Sequence, residues 1–283
     1  MNVDVVDLAC SVALAALAVV VIPAYMWRVV RSGAATDARI ELAGGSPLLG
    51  KSAMEMGYWA MRPIARGLSA LGAGANTVTW ASLVLAFGAG IALSAGRFGI
   101  GAALSLVSSG CDALDGMIAR QRATASDAGE VLDAAVDRYA ELFFFAGVAI
   151  YERSSVLDLG LTLAATAGAV MVSYTTAKGE ALGVDVPRGV MRRQERAVYL
   201  VAGAGLVPFV TIAQRRWAGP VWLDDAPLRA ALLLVATAGN GSAIRRLSAM
   251  ARAARRRGRG RALGPLAGGA PLEAESRLTR TPP

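Results

Sequence analysis

Histidine is absent from this sequence of 283 residues, and cysteine is nearly so. Without histidine, a Cys/His zinc site and histidine acid–base catalysis are both excluded. The two cysteines, Cys10 and Cys111, lie in apolar stretches and are too few for a disulfide framework. Any catalysis by this chain therefore depends on carboxylates, lysine, tyrosine or a bound metal.

Charge is also scarce, since charged residues make up 18% of the chain and hydrophobic residues 55%. The mean hydropathy of +0.47 is too high for an ordinary soluble domain. A very hydrophobic soluble bundle is the alternative, but long apolar runs recur along the chain. The composition therefore predicts an all-α fold, a polytopic membrane helical bundle.

Seven apolar stretches are long enough to cross a bilayer, which takes about 17–25 helical residues. They cover residues 5–27, 77–95, 98–121, 128–152, 157–181, 195–214 and 226–249. We therefore expect six core transmembrane helices plus one additional N-terminal transmembrane helix.

The chain then divides into four segments. An N-terminal transmembrane helix lies in residues 1–31, and residues 32–75 form an interfacial amphipathic segment or, as the alternative, a connecting helix packed on the bundle. The six-helix domain covers residues 76–250, and residues 251–283 form a basic, disordered cytoplasmic tail.

The net charge of +8 comes largely from arginines in the tail and between the apolar stretches. Such loops face the cytoplasm under the positive-inside rule, whereas nucleic-acid binding would require a basic face with stacking aromatics. The sequence therefore predicts a multi-pass protein of the cell (inner) membrane, with membrane lipid and not nucleic acid as its partner.

Four aspartates lie inside apolar helices, where each charge costs at least about 2.5–3.5 kcal/mol. Asp112 and Asp115 share a helix face at spacing i, i+3, and Asp133 and Asp137 share one at i, i+4. A short link makes the two helices antiparallel neighbours, so the carboxylates can converge. Oxygen-only ligands suit Mg²⁺ or Mn²⁺, and a two-metal site would remove their repulsion.

Two other interpretations of these acids stay open on spacing alone. Interhelical salt bridges could form with Arg120, Arg122 and Arg138. An ion-coupled membrane transporter would also place acids inside the membrane, although a transport path would spread them across it.

The neighbouring Asp127 and Glu130 have the spacing of a capping box at the start of the second helix.

The whole stretch reads Asp112-x2-Asp115-Gly116-x2-Ala119-Arg120-x8-Gly129-x3-Asp133-x3-Asp137. It resembles the signature of the CDP-alcohol phosphotransferase family at all eight defining positions. The resemblance implies a membrane enzyme of phospholipid biosynthesis, usually a homodimer, with its active site facing the cytoplasm. Such an enzyme transfers the phosphatidyl group of CDP-diacylglycerol to the hydroxyl of an alcohol and releases CMP.

The resemblance also implies roles for individual residues. Two metal ions, Mg²⁺ or Mn²⁺, would be bound by Asp112, Asp115, Asp133 and Asp137, with Asp137 acting as the general base as well. Contacts with the CDP-lipid would come from Asn76, Thr77, Val78, Thr79, Gly116, Arg120 and Ser126. The first four residues resemble the family's Pro-Asn-x-x-Thr element with Ala75 in place of proline, and a helix N-cap at Asn76 or Thr77 is the alternative.

The acceptor alcohol is predicted from residues 173–196. The run Ser173-Tyr174-Thr175-Thr176-Ala177-Lys178-Gly179-Glu180 is similar to the Ser-Tyr-x-Lys-Ala-Arg-x-Glu pattern of the phosphatidylinositol phosphate synthase branch. Here Thr176 replaces that pattern's lysine and Lys178 its arginine. We expect Ser173, Lys178, Arg193 and Arg196 to bind an anionic alcohol such as inositol phosphate. Glycerol 3-phosphate, as in a phosphatidylglycerophosphate synthase, and ordinary positive-inside charge are the alternatives.

Overall fold

The computed structural model describes residues 4–33, 48–184, 189–217 and 223–258, with side chains described as far as residue 255. Every regular element in these residues is helical, which confirms the all-α prediction. The helices are α1 (Val5–Ser32), α2 (Gly50–Ala70), α3 (Ala75–Ser94), α4 (Phe98–Gln121), α5 (Asp127–Tyr151), α6 (Val156–Ala181), α7 (Arg193–Arg216) and α8 (Ala226–Gly258). A short 3-10 helix, Glu152–Ser154, joins α5 to α6.

Each of the seven predicted spans corresponds to one helix, and the segment before the core contains α2. Four helices of the described part, α1, α3, α6 and α7, are long and apolar enough to cross a membrane. The full count of seven spans stays a prediction. Helix α8 continues to Gly258, so residues 251–258, predicted as the start of a disordered tail, are helical. Residues 259–283 of that predicted tail lie outside the described residues.

Helices α3 and α5 are in backbone contact. A Cβ added to Gly147 would lie 2.3 Å from the carbonyl oxygen of Gly90, and one added to Gly90 would lie 2.6 Å from that of Phe143. Glycine is required here because any side chain would force the two helices apart. This crossing fixes α5, which contains Asp133 and Asp137, against α3.

Helix α2 packs on the bundle through a small apolar cluster. The cluster consists of Ala65, Val78, Leu114, Met117 and Ile118, all of them buried. It joins α2 and α3 to the part of α4 that contains Asp112 and Asp115. The other face of α2 is largely exposed, so its apolar contacts are concentrated on one side.

Two helix starts differ from the sequence predictions. Helix α3 begins at Ala75 with Gly74 as its N-cap, so neither Asn76 nor Thr77 caps it. Helix α5 is capped by Ser126, whose hydroxyl accepts a hydrogen bond from the backbone N–H of Gly129 at 3.2 Å. The predicted capping residue Asp127 is instead the first residue of the helix, because Ser126 already has the extended backbone that an N-cap needs.

Candidate active site

Three of the four aspartates converge between α4 and α5, two helices that each pack mainly against α3. Asp112, Asp133 and Asp137 each offer a carboxylate oxygen, and these oxygens all lie within 4.8 Å of one another. All three residues are half-buried, so the cluster is accessible from one side. Three carboxylates this close repel one another strongly, and a set of oxygen donors with excess negative charge fits a hard divalent cation.

The fourth aspartate has a different partner. Asp115 is buried, and its Oδ2 accepts a hydrogen bond of 2.6 Å from the hydroxyl of Thr79. Thr79 itself is 4% exposed. This contact brings the predicted Asn-x-x-Thr element of α3 against the acids of α4.

The remaining predicted CDP-lipid residues occupy several environments. Asn76 and Thr77 are exposed at the start of α3, whereas Val78 is buried in the apolar cluster with α2. Arg120 is exposed in the last turn of α4, one turn beyond the half-buried Gly116, and Ser126 is exposed while capping α5. Their contacts with a CDP-lipid stay predictions.

Arg193, in the first turn of α7, joins the acids of the two neighbouring helices. Its guanidinium lies 2.5 Å from Asp112 Oδ2 and 2.6 Å from Asp137 Oδ1. A planar guanidinium can serve two carboxylates at once, which a lysine cannot do with the same geometry. Arg193, which the sequence predicts as an acceptor-binding residue, is thus placed at the carboxylate cluster.

The alternative of interhelical salt bridges would involve Arg120, Arg122 and Arg138. Of these, Arg138 approaches Asp137 at 4.0 Å and Glu141 at 3.5 Å. Arg122 instead donates to the carbonyl oxygens of Ser69 and Gly72 at the end of α2. The three clustered acids outnumber the arginines that reach them, so ion pairing with the described residues does not balance their charge.

A cavity of about 930 Å³ adjoins the carboxylate cluster between α5, α6, α7 and α8. Five arginines contribute to its wall, namely Arg138, Arg192, Arg193, Arg196 and Arg246. Arg193 is already paired with Asp112 and Asp137, but the other four arginines still outnumber Glu141 and Glu180, the two carboxylates among the described lining residues. The cavity is therefore suited to an anionic ligand.

The predicted acceptor residues divide into those that line this cavity and one that does not. Ser173 lines it and is hydrogen-bonded to Arg138, and Arg193 and Arg196 line it as well. Lys178 is exposed and is not among the described lining residues, whereas its neighbours Thr176, Ala177 and Glu180 line the cavity. The role of Lys178 stays a prediction.

Arg246 of α8 was not predicted as a site residue. It is 7% exposed, and it donates to the hydroxyl of Thr176 at 2.6 Å and to the carbonyl oxygen of Val172 at 3.2 Å. Thr176 is the position where the related pattern has lysine, so α8 supplies a cation beside that position. Arg246 lies at the end of the last predicted span, and its distance from α6 along the chain hides this contact in the sequence.

Glu141 was also missed, although it follows Asp137 by one helical turn and lies in the same predicted span. Its two carboxylate oxygens accept hydrogen bonds from Arg196 at 2.6 and 3.0 Å. Arg196 further donates to the carbonyl oxygen of Met191 at 2.6 Å. Met191 is fully buried with φ of 64°, a left-handed conformation that is rare outside glycine, so the chain entering α7 is tightly constrained.

Residues 73–238 match the family model for CDP-alcohol phosphatidyltransferase. A bifunctional IPC transferase and DIPP synthase of Rubrobacter xylanophilus is 36% identical over 167 residues, covering 59% of this chain and 34% of that protein. A phosphatidylinositol phosphate synthase of Mycobacterium marinum is 34% identical over 156 residues, covering 53% of this chain and 66% of that protein.

Among solved structures, the phosphatidylinositol phosphate synthase of Mycobacterium tuberculosis is similar to this chain. Its crystal structure with CDP-DAG bound has a TM-score of 0.55 at 26% identity and covers 67% of this chain and 92% of that one. Its complex with manganese and citrate has a TM-score of 0.58 at 27% identity, with 67% and 88% covered.

The match spans about a third of the length of the Rubrobacter xylanophilus protein and just under two thirds of that of the Mycobacterium marinum protein. The family model, in contrast, covers more than half of this chain and includes Asp112, Asp115, Asp133 and Asp137. The aspartate pattern, the convergence of these helices and the family match agree. The chain belongs to the CDP-alcohol phosphatidyltransferase family.

Proposed function

We propose that this protein transfers the phosphatidyl group of CDP-diacylglycerol to the hydroxyl of a phosphorylated alcohol, with inositol phosphate as the preferred acceptor. The observation that carries the proposal is the arginine-lined cavity of about 930 Å³ beside Asp137. An acceptor in this cavity would have its hydroxyl near the acids and its phosphate among the arginines.

The charge of the cavity favours a phosphorylated acceptor over a neutral one. Arg193 and Arg246 lie at well-separated positions in the wall, the first at the acids and the second against Thr176. Guanidinium groups bind phosphate bidentately, so an anionic alcohol gains charge-assisted contacts that a neutral alcohol lacks. The volume is ample for a ring polyol phosphate, and the similar proteins named phosphatidylinositol phosphate synthases support this choice.

The reaction is a substitution at phosphorus. Mg²⁺ or Mn²⁺ held by Asp112, Asp115, Asp133 and Asp137 would neutralise the charge of the pyrophosphate and of the departing CMP. Asp137 accepts the proton of the acceptor hydroxyl. The hydroxyl oxygen then forms a bond to the lipid-bearing phosphorus, the pyrophosphate bond to that phosphorus breaks, and CMP leaves with the bonding electrons.

Chain residues also orient the donor. Thr79 holds Asp115 through the 2.6 Å hydrogen bond, which fixes that carboxylate relative to α3. Asn76, Thr77, Val78, Gly116, Arg120 and Ser126 are the further proposed contacts for the CDP-lipid. Arg120 is placed to pair with phosphate, since it is exposed at the end of α4.

The proposal includes a membrane arrangement. Helices α1 and α3–α8 are taken to span the cell membrane, with the acid cluster near the cytoplasmic side, where lipid and water-soluble substrates meet. The positive-inside distribution of arginine supports this orientation. Family membership supports a homodimer as the working assembly.

The acceptor is tested by offering inositol 1-phosphate, glycerol 3-phosphate, free inositol and serine to the purified protein with CDP-diacylglycerol and Mg²⁺ or Mn²⁺. We expect CMP release to be fastest with inositol 1-phosphate. Faster turnover of glycerol 3-phosphate would reassign the acceptor within the anionic class. A preference for inositol or serine would contradict the role given to the arginine-lined cavity.

The general base is tested by Asp137→Asn, which keeps the shape of the side chain but cannot take up the proton. General-base removal typically costs about 10²–10⁴-fold in rate. Asp127→Asn, an exposed aspartate in the first turn of α5, is the control. Full activity of Asp137→Asn would show that another group takes the proton.

A further inference from the structure

The N-terminal part of the chain, described over residues 4–33 and 48–70, lies outside the family match yet packs against the helices that contain the site. At its start, Asp7 of α1 is 2% exposed and accepts a hydrogen bond of 2.9 Å from the backbone N–H of Ile100. The first N–H groups of a helix lack intrahelical partners, and Arg97, the N-cap of α4, offers no side-chain cap. Asp7 therefore caps α4 from another helix.

Close packing reinforces this cap. A Cβ added to Gly99 would lie 2.0 Å from the backbone carbonyl oxygen of Asp7, so the two helices touch through their backbones. Asp4 forms an ion pair with Arg97 at the same end. The far end of α1 is held as well, because the hydroxyl of Tyr25 donates to Glu55 of α2 at 3.2 Å in a buried contact.

One backbone group of the same N-terminal part reaches the first turn of α7. The N–H of Leu48, just before α2, donates to Oε1 of Glu195 at 3.1 Å. The side chain of Leu48 is 41% exposed, so the contact depends on its backbone. Glu195 is fully buried, and its other oxygen, Oε2, accepts the backbone N–H of Arg192 at 2.9 Å.

Glu195 thus lies between the N-terminal part of the chain and the first turn of α7. That turn contains Arg193, which reaches Asp112 and Asp137, and Arg196, which pairs with Glu141. A buried carboxylate that accepts two backbone N–H groups has one preferred position. Displacing it would shift the arginines of the cavity, whereas the aspartates lie on other helices.

We propose that Glu195 is a positioning residue for the acceptor cavity and that the backbone N–H of Leu48 holds it in place. The N-terminal part of the chain is then a functional component of the acceptor site. This inference rests on the proposed function, because it assigns the cavity arginines to an anionic acceptor.

The test uses the full-length protein and replaces Leu48 by proline, which has no N–H to donate. Leu48→Ala is the reference variant, because it trims the side chain and keeps the donor. Steady-state kinetics are measured with inositol 1-phosphate and CDP-diacylglycerol varied in turn. We expect the acceptor KM of Leu48→Pro to exceed that of Leu48→Ala about tenfold, the equivalent of one charge-assisted hydrogen bond. With Mn²⁺ at a saturating concentration, so that the metal occupancy of the aspartates is the same, the KM for CDP-diacylglycerol should be alike in both variants.

Glu195→Gln is the second variant, and it tests the positioning role of Glu195 if Leu48→Pro does not fold. The amide keeps one acceptor oxygen and loses the other, so the acceptor KM should rise while the KM for the lipid does not. Equal kinetics of Leu48→Pro and Leu48→Ala would overturn the inference. So would a rise of both KM values together with a lower Tm, which is the pattern of a merely structural role.

Failure of the proposed function gives a different result. If the unmodified protein releases no CMP with any phosphorylated acceptor, the acceptor assignment itself is wrong, and the inference is lost with it. If the unmodified protein is active and Glu195→Gln leaves the acceptor KM unchanged, only the positioning role is wrong.

Discussion

The guanidinium of Arg193 donates to Oδ2 of Asp112 at 2.5 Å and so joins the first turn of α7 to the middle of α4. The contact puts a cation of the acceptor cavity directly on a carboxylate assigned to metal binding. Arg193 approaches Asp137 equally closely. The two halves of the proposed reaction, donor activation and acceptor binding, therefore meet at one side chain.

Replacing Arg193 by glutamine should tighten the binding of Mn²⁺. The arginine and a divalent cation draw on the same oxygens of Asp112 and Asp137, so removing the arginine leaves those oxygens more available. Loss of one charge-assisted contact corresponds to about a tenfold change in affinity. Titration of Mn²⁺ followed by electron paramagnetic resonance measures it directly, without turnover.

Arg120→Gln is the control for a general effect of charge, since Arg120 is exposed at the end of α4. Its Mn²⁺ affinity should differ little from that of the unmodified protein. Weaker Mn²⁺ binding by Arg193→Gln would mean that the arginine supports the metal site instead of competing for it.

Replacing Thr79 by valine should lower turnover about tenfold. Valine has nearly the same shape but no hydroxyl, so buried Asp115 loses its 2.6 Å donor, a loss of about 1–3 kcal/mol. Thr79→Ser keeps the hydroxyl and should retain most of the activity. CMP release at saturating substrate distinguishes the two variants, and similar rates for both would show that the hydrogen bond has no part in the reaction.

Replacing Gly147 by alanine should lower the Tm of the purified protein by several degrees and reduce activity with it. The added Cβ would lie 2.3 Å from the carbonyl oxygen of Gly90, so α3 and α5 must separate. Gly160 of α6 is the matched control, because nothing lies within 4 Å of a Cβ added there. Gly160→Ala should be neutral or slightly stabilising, since alanine is the better helix former. Equal Tm values for the two variants would contradict the close contact of α3 and α5.

The sequence predicts features of the site that depend on helical periodicity, such as the acids of α4 and α5. The i, i+3 and i, i+4 spacings and the short link predicted that four carboxylates converge; Asp112, Asp133 and Asp137 do so, whereas Asp115 is bonded to Thr79. Glu141 follows the same periodicity and could have been included.

Contacts between distant helices carry no such local signal. The approach of Arg246 to Thr176 and of Leu48 to Glu195 depends on how α8 and the N-terminal part of the chain pack. Sequence spacing defines the faces of a helix, but it does not define which distant helix meets each face. The capping of α4 by Asp7 was hidden for the same reason, because helix caps are normally sought next to the helix they cap.

Glu152, in the connection after α5, should make the free energy of unfolding depend on pH. Glu152 begins the 3-10 helix beyond α5 and is 5% exposed, and burial, followed by the charge of Asp225, raises its pKa to about 8. Between its ordinary value of 4.5 and about 8, the folded protein holds a proton that the unfolded chain has released. Binding of that proton favours the folded state, so the free energy of unfolding should fall as pH rises through this interval.

Glu152→Gln removes the group that titrates and should therefore flatten the decline of Tm between about pH 5 and pH 8. This interval lies between the ordinary pKa of 4.5 and the raised pKa of about 8. Asp225→Asn is the companion variant. Because the charge of Asp225 helps to raise the pKa of Glu152, its removal should move the decline to lower pH while leaving it visible. Tm measured in detergent across the interval tests both variants. A slope in Glu152→Gln as steep as that of the unmodified protein would assign the pH dependence to another group.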